Sequence, residues 1–394
     1  MSAVPSAALC RYYSREAVGS ALVATIGNVN PRHAIDLGSG PGCLSSAIAE
    51  RWKKCQIITV DIDAYVQTEI AGGRGRHNHY ILDALDPELP YHLLDSHHKV
   101  DLAVSNPPYG SVAKFKGAAE ILSAAGLPKI RNLSAECGAE IVFLGQSLRL
   151  IRDGGQAGLI VPDGLITGRA MCDLRMALAT QHTIDAVVQL PRRSFLRTEA
   201  QAFILMLSKI PGGRRPIVLK KYDADGTIFP PIYLNPREAF RRLDYDFHAQ
   251  QGLFEQSIRL GDLGVEIVRG ILNSAQRTDG AFHTSDFPEK PGRIFLPGSK
   301  GEDSVSKHSA KTGDILLARI HRNLERKVCL VAGGTAVLTD CVYRIRAPLK
   351  LRGRLFKFLR SPAGQLALAS VARGTGARMI SKSELLNLQI PLLS

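Results

Sequence analysis

The chain has 394 residues, enough for two or three domains at roughly 100–200 residues each. Hydrophobic residues make up 45% and charged residues 22%, as in an ordinary soluble globular chain, and no apolar stretch nears the roughly 20 residues that cross a bilayer, so no membrane partner is expected. The net charge of +14 is lopsided: residues 1–210 carry 21 Lys and Arg against 19 Asp and Glu, whereas residues 211–394 carry 29 against 17, an excess that fits a polyanionic partner and above all a nucleic acid.

The N-terminal MSAVPSAALCRYYSREAV has no basic start followed by a long apolar block, so no secretion signal is read there. Ala34–Ile35–Asp36–Leu37 reads as a strand before a Gly-rich turn and a helix from Leu44 to Trp52. Gln56–Ile57–Ile58–Thr59–Val60 is a second strand ending in Asp61, Tyr80–Ile81–Leu82 a third ending in Asp83, and Val100–Asp101–Leu102–Ala103–Val104 a fourth running into Asn106. Runs at 157–161, 184–188 and 203–207 continue the pattern. Strands alternating with helices imply an α/β, mostly parallel sheet covered on both faces, with ligands outside the carboxyl ends of its strands. Breaks at Pro211–Gly212–Gly213, Pro230–Pro231 and Asn235–Pro236 place a linker at 211–242, between a first domain at 1–210 and a second at 243–394. The second domain reads as mixed α+β: short strand-like runs such as Ile315–Leu316–Leu317, turns and basic helices. Seven cysteines, scattered and without a CxxC pair, fit reduced thiols in a cytoplasm; neither a disulfide framework nor a metal site is expected.

The four strand ends carry the chemistry. DLGSGPG (36–42) sets Gly38, Gly40 and Gly42 in a strand-to-helix turn. Such glycines either let the backbone press against a ligand or simply pack helix on strand. Asp61 is placed to accept from both hydroxyls of a ribose, or else to cap the next segment, a role that suits Asp63 better. Asp83 is placed to accept from an adenine amino group, or to make a turn before Asp86–Pro87. In SNPPYG (105–110), the Asn106 side-chain oxygen and the Pro107 carbonyl offer two acceptors for the hydrogens of a planar amine, localising its lone pair. Pro107 and Pro108 stiffen that geometry, and Tyr109 offers a flat face for stacking.

In this order, DLGSGPG, VDID (60–63), LDAL (82–85) and SNPPYG resemble the gamma-class N6-adenine DNA methyltransferases, most of all the modification subunits of type I restriction systems and their fused relatives. RYYSREAV (11–18) resembles the family's opening motif, and LPRRSFLRTEAQAFILMLSK (190–209) its late motif. The resemblance implies a Rossmann-like methyltransferase domain using S-adenosyl-L-methionine. It places Tyr13 and Ser14 near the methionine part of the cofactor; Asp36, Gly38, Gly40 and Gly42 in the cofactor loop; Asp61 and Ile62 at the ribose end; and Asp83 and Ala84 at the adenine. Asn106, Pro107, Pro108 and Tyr109 would hold a flipped adenine, Asn106 also bordering the cofactor, with Phe195 covering the base's edge or other face, unless Phe195 is an ordinary core residue.

RLDYDFHAQ (242–250), Val268–Arg269–Gly270, TGDILLARI (312–320) and GTGARMISKSELLNLQIPL (374–392) resemble, in order, a target recognition domain of type I specificity subunits. Ser381 with Glu384 reads as a capping box, and Gly374 and Gly376 as turn glycines. Two basic runs, Arg319, His321, Arg322, Arg326, Lys327 and then Lys350, Arg352, Arg354, Lys357, Arg360, are either phosphate and base contacts or solvated surface. The resemblance implies site-specific methylation of adenine N6 in double-stranded DNA within a bacterial or archaeal restriction-modification or phage-defence system, in the cytoplasm. A second copy of the chain or other defence-system subunits are further candidate partners. The alternatives are an RNA adenine methyltransferase and a DNA-binding subunit idle without partner chains. No GxxxxGK[ST] loop is present, so nuclease or helicase work is not expected of this chain.

Overall fold

The apolar runs of the first half become strands of one sheet in a computed structural model, which describes residues 16–27, 29–65, 70, 76–94, 99–108, 117–127, 138–192, 194–195, 201–223, 227–250, 256–273, 276, 280–298, 307–374 and 377–392. The chain divides into two units, Met1–Tyr245 and Asp246–Ser394.

In the first unit, β1 (His33–Leu37), β2 (Gln56–Asp61), β3 (His77–Ile81), β4 (Val100–Ser105), β5 (Ile151–Pro162), β6 (Thr183–Gln189), β7 (Ala202–Ser208), β8 (Ile217–Lys221) and β9 (Ile232–Leu234) form a nine-stranded sheet ordered β3-β2-β1-β4-β5-β7-β6-β8-β9. The first five run parallel, and β7 lies antiparallel between β5 and β6. Helices α1 (Glu16–Thr25), α2 (Cys43–Arg51), α3 (Leu89–Leu94), α4 (Ala118–Ala124), α5 (Ala139–Leu150), α6 (Asp163–Thr167) and α7 (Cys172–Gln181) accompany it. Alternation along each strand sends Ala34, Ile57, Leu102 and Val104 into a core shared with Val18 and Leu22 of α1 and Leu44 and Ile48 of α2. Their neighbours Ile35, Ile58 and Ala103, equally buried, face the other way. Strands covered on both faces read as continuous apolar runs, which is why they stand out in the sequence.

The stretch expected as a linker, 211–242, instead supplies two strands of this sheet. β8 pairs parallel with β6, and β9 antiparallel with β8. Gly212 is there for close approach: a Cβ on it would sit 1.9 Å from the His182 carbonyl oxygen and 2.2 Å from that of Ala179. The fully buried Arg175 of α7 then donates to the carbonyls of Ala239, Phe240 and Arg241 at 3.0, 3.1 and 2.9 Å, fastening the 3-10 turn Pro236–Phe240 to the same unit.

After α8 (Tyr245–Gln250), the second unit contains β10 (Ser257–Arg259), β11 (Glu266–Arg269), β12 (Gly292–Phe295), β13 (Ser309–Lys311), β14 (Ile315–Ala318), β15 (Ile320–His321), β16 (Val328–Gly333), β17 (Thr335–Val337), β18 (Val342–Arg346), β19 (Arg378–Met379) and β20 (Gln389–Pro391). Five of these make a sheet ordered β11-β18-β14-β16-β12; β10 with β20, β13 with β17 and β15 with β19 form two-stranded pairs. The GDIL run is β14, the central strand, buried along its length. Helices α9 (Leu349–Arg360), α10 (Pro362–Val371) and α11 (Lys382–Leu386) complete the unit, which has its own core around Ile315, Leu317, Val328, Ile345, Leu355 and Leu368. α11 starts at the expected capping box: the Ser381 hydroxyl accepts from Glu384 N, and the Glu384 carboxylate accepts from Ser381 N. Gly374 has φ of 116°, as a turn glycine should; Gly376 lies outside the described residues. Among the described residues no helix is long and apolar enough to cross a membrane.

Candidate active site

Register brings four strand ends together. Leu37 of β1 pairs with Val60 of β2 on one side and Ser105 of β4 on the other, and Asp61 pairs with Ile81 of β3. The next residues, Gly38, Ile62, Leu82 and Asn106, therefore leave the sheet along one edge. The buried Ser105 hydroxyl donates to the Leu37 carbonyl at 2.7 Å and fixes the edge where Asn106 begins.

Gly38, Gly40 and Gly42 all take left-handed conformations, with φ of 68°, 50° and 90°, which explains three glycines in seven residues. The loop is held from beneath: Gly38 N and Ser39 N both donate to the Val60 carbonyl, at 2.8 and 3.1 Å. Asp61 holds it from the side. One carboxylate oxygen accepts from Gly40 N at 2.8 Å, and the other from Asp63 N at 3.0 Å. Asp63 accepts from Tyr65 N at 3.0 Å, closing a turn; the segment it was expected to cap runs into residues 66–69, outside the described residues.

Asp36 stands behind this loop rather than on its surface, only 1% exposed. Its Oδ2 accepts from Ser45 N at 3.2 Å and from the Ser45 hydroxyl, clamping the first turn of α2. Its Oδ1 meets no donor among the described residues. Burial lifts its pKa from 3.8 to about 7, against the pull of the two Ser45 bonds and with a smaller push from the Asp61 charge. Ser45 and Ser105 were not singled out in the sequence; a small polar residue just inside a glycine-loop helix, and another at a buried strand end, were the available signals.

Asp83 is exposed, and its Oδ1 accepts from Leu85 N at 2.8 Å, making the turn that leads to α3. Ile62, 53% exposed, presents an apolar side chain beside Asp61, while Ala84 is buried. Asn106 is partly buried, Pro107 buried and Pro108 partly buried at the end of β4. Phe195, expected to cover a flipped base, is 2% exposed and packs in the core with Leu190, Ala202 and Ile204, so the core reading holds for it. Tyr13, Ser14 and Tyr109 lie outside the described residues. Among the described residues no group of His, Cys, Asp and Glu is arranged to hold a metal ion.

The basic runs of the second unit divide by exposure. Arg319 is 8% exposed and spends its guanidinium inside the fold: Nε donates to the Asp340 carbonyl at 2.6 Å, and Nη2 lies 3.5 Å from the Asp340 carboxylate. Arg352 tucks against Gly313, whereas Arg322, Arg326, Lys350, Arg354, Lys357 and Arg360 are exposed.

Residues 77–221 match the N-6 DNA methylase family model, and residues 13–126 that of the methyltransferase small domain. The first unit has the fold of S-adenosylmethionine-dependent methyltransferases. Over 95% of its length the chain shares its fold with the type IIG restriction endonuclease BpuSI, at 14% identity and a TM-score of 0.51, covering 58% of that chain. A type I restriction-modification methyltransferase subunit from Streptococcus thermophilus aligns with 58% of this chain and 51% of its own (18% identity, TM-score 0.45). A class I S-adenosylmethionine-dependent methyltransferase from Listeria monocytogenes, described as putative in its own name, aligns with 53% and 65% (19% identity, TM-score 0.42). The chain thus spans about half to two thirds of the length of these solved relatives. A search among curated proteins returns no match.

Proposed function

We propose that this chain transfers a methyl group from S-adenosylmethionine to the N6 amino group of adenine in duplex DNA, with the base turned out of the helix, as the modification component of a restriction-modification system. The observation that carries the reading is the register of the four strand ends, which sets the glycine loop, Asp61, Asp83 and Asn106 side by side on one edge. The cofactor residues fit that group. Left-handed glycines leave bare backbone for close approach, Asp61 and Ile62 stand polar beside apolar at a ribose-and-base position, and Asp36 holds an orphaned buried carboxylate oxygen behind the loop. When bound, the cofactor supplies a methyl made electrophilic by its sulfonium.

The remaining work belongs to the chain. The Asn106 oxygen and the Pro107 carbonyl accept from the two hydrogens of the target amine, so its lone pair is no longer delocalised into the ring. Pro107 and Pro108 keep those acceptors aimed without reorganisation during the reaction. Tyr109 supplies the stacking face for the extruded base, whose removal from the duplex costs a few kcal/mol. The proton becomes acidic once nitrogen is alkylated, so no strong base is needed before attack. The second unit, with the larger share of positive charge, reads the DNA target.

The test is expression in cells that lack adenine methylation, followed by sequencing sensitive to N6-methyladenine, with Asn106→Ala alongside. Methylation at one short motif, absent in the variant, supports the reading. In a second reading, turnover requires partner chains. An unmodified genome, with purified protein that binds S-adenosylmethionine and duplex DNA, selects that reading; methyl incorporation into RNA alone overturns both.

A further inference from the structure

Asp340 stands in the turn between β17 and β18, and two arginines share it. The backbone of that turn is pinned. Thr339 N donates to the Phe282 carbonyl at 3.0 Å, Asp340 N to the Leu272 carbonyl at 2.8 Å, and Val342 N to the Thr339 carbonyl at 3.0 Å. The end of β11 lies hard against the same turn. A Cβ on Gly270 would sit 2.1 Å from the Thr339 carbonyl oxygen and 2.4 Å from that of Leu338, so glycine must follow Arg269.

The buried Arg319 braces Asp340 from inside. Its Nε donates to the Asp340 carbonyl at 2.6 Å, its Nη2 lies 3.5 Å from the carboxylate, and its Nη1 donates to Met379 Sδ at 3.2 Å. Cys341 Sγ donates to the other carboxylate oxygen, Oδ1, at 3.3 Å. Arg269, at the end of β11, approaches from outside. Its Nε donates to the Asp340 carbonyl at 3.2 Å and its Nη2 to Oδ2 at 2.6 Å. Burial pushes the Asp340 carboxyl up, but the hydrogen bonds from Arg269 and Cys341 and the two guanidinium charges hold it below the usual carboxylate range.

Arg269 therefore spends one edge of its guanidinium, Nε with Nη2, on Asp340. Among the described residues Asp340 takes every hydrogen bond and ion pair that this guanidinium makes, and the side chain remains 51% exposed. The opposite edge, Nη1 with the second hydrogen of Nη2, points away from Asp340. It offers two parallel donors whose direction is set before any ligand arrives. Such a fork matches two acceptors side by side: O6 and N7 of guanine, or two oxygens of a phosphate. Asp340 decides between them. Its carboxylate, bonded to the same guanidinium, would repel a phosphate, whereas a neutral base edge meets less repulsion and gains from the fixed aim. Arg259 shows the contrast. It pairs with Asp262 through the same two nitrogens and is 56% exposed, but Asp262 is itself 45% exposed and three residues away, an ordinary local surface pair.

We propose that Arg269 reads a guanine in the major groove of the DNA target through its outward edge, with Asp340 as the positioning residue that aims it. This rests on DNA being the substrate, and the experiment separates the two.

The purified full chain selects duplexes from a pool with a randomised core, the bound fraction is sequenced, and affinities for single duplexes follow from anisotropy. The wild type is expected to enrich a short motif containing a G·C pair. Arg269→Gln is expected to lose the preference at one G·C position by roughly 10- to 100-fold while the other positions stay as they were. Arg259→Gln, which removes the same charge from the same unit, is expected to leave the motif intact. Asp340→Asn keeps an acceptor for both arginines. It is expected to weaken the same G·C preference several-fold without lowering affinity for unrelated duplex, a split that a merely structural role would not produce. An unchanged motif in Arg269→Gln, or an equal loss of affinity on selected and unrelated duplexes, makes Arg269 a phosphate or structural contact and overturns the proposal while leaving DNA as substrate. So does a wild-type motif without a G·C pair, or no motif at all. A wild-type chain that binds no duplex DNA, or binds duplex RNA more tightly, overturns the substrate reading and the guanine contact together.

Discussion

At the carboxyl edge of the first sheet, charge is sparse and single acceptors stand one strand apart; in the second unit, charge is dense and much of it is neutralised inside the fold. Asp61, buried, ties Gly40 and Asp63, and the exposed Asp83 ties Leu85. Arg344, by contrast, is 1% exposed; it donates to the Lys307 and Ser309 carbonyls and pairs with Glu266 at 2.8 Å. Arg346 makes a two-pronged pair with Asp314, and Arg319 is absorbed by Asp340. Net charge therefore points to a partner, while exposure decides which cations are available to meet it. The first unit's polar edge should matter to chemistry, and the second unit's buried arginines to stability.

The strongest test of that division is Asn106→Ala. It is expected to lower methyl transfer by ~10³-fold with an unchanged thermal midpoint, read by labelled-methyl incorporation and a melting curve. A midpoint that falls by several degrees would make Asn106 a structural residue and break the contrast.

Asp36 is the first unit's exception, a buried carboxyl whose cost is in stability. Below pH 3.8 it is neutral in folded and unfolded chains alike and burial costs little. Between there and about pH 7 the unfolded chain releases the proton and the folded one keeps it, so stability falls as pH rises; above about 7 the penalty is full. At about 1.4 kcal/mol per pKa unit, the shift from 3.8 to about 7 is worth at most about 4 kcal/mol. Asp36→Asn keeps an acceptor for Ser45 and is expected to flatten the difference in thermal midpoint between pH 5 and pH 8. An undiminished difference would assign the pH dependence to other groups.

Arg344→Met removes a buried charge without opening a large cavity. It should cost about 3 kcal/mol, at the low end for breaking a buried pair because Glu266 is half exposed. The expected readout is an earlier melting transition with cofactor affinity unchanged. Loss of cofactor binding would show that the two units do not divide the work as argued. Ser381→Ala, at the capping box of α11, should cost only about 1 kcal/mol, seen as a small fall in the same transition.

Much of the first unit was legible because strands buried on both faces are apolar throughout and end abruptly in polar residues, as Val60–Asp61 and Val104–Ser105–Asn106 do. β3 was harder. It begins at His77, and His77 and His79 share the Thr59 hydroxyl, so its first half is polar. The stretch 211–242 was misread because Pro and Gly mark both linkers and tight crossings. Only the carbonyls of His182 and Ala179 against Gly212 show which one this is.

Local patterns in the sequence determined the strand ends, the left-handed glycine loop, the capping box and the side of the chain that carries positive charge, because each depends on residues close together along the chain. Tertiary structure alone decided that Asp36 lies behind the loop, that Phe195 belongs to the core, and that Arg319 is occupied by Asp340. Those outcomes depend on neighbours from distant segments, and burial, unlike periodicity, is a property of the assembled fold.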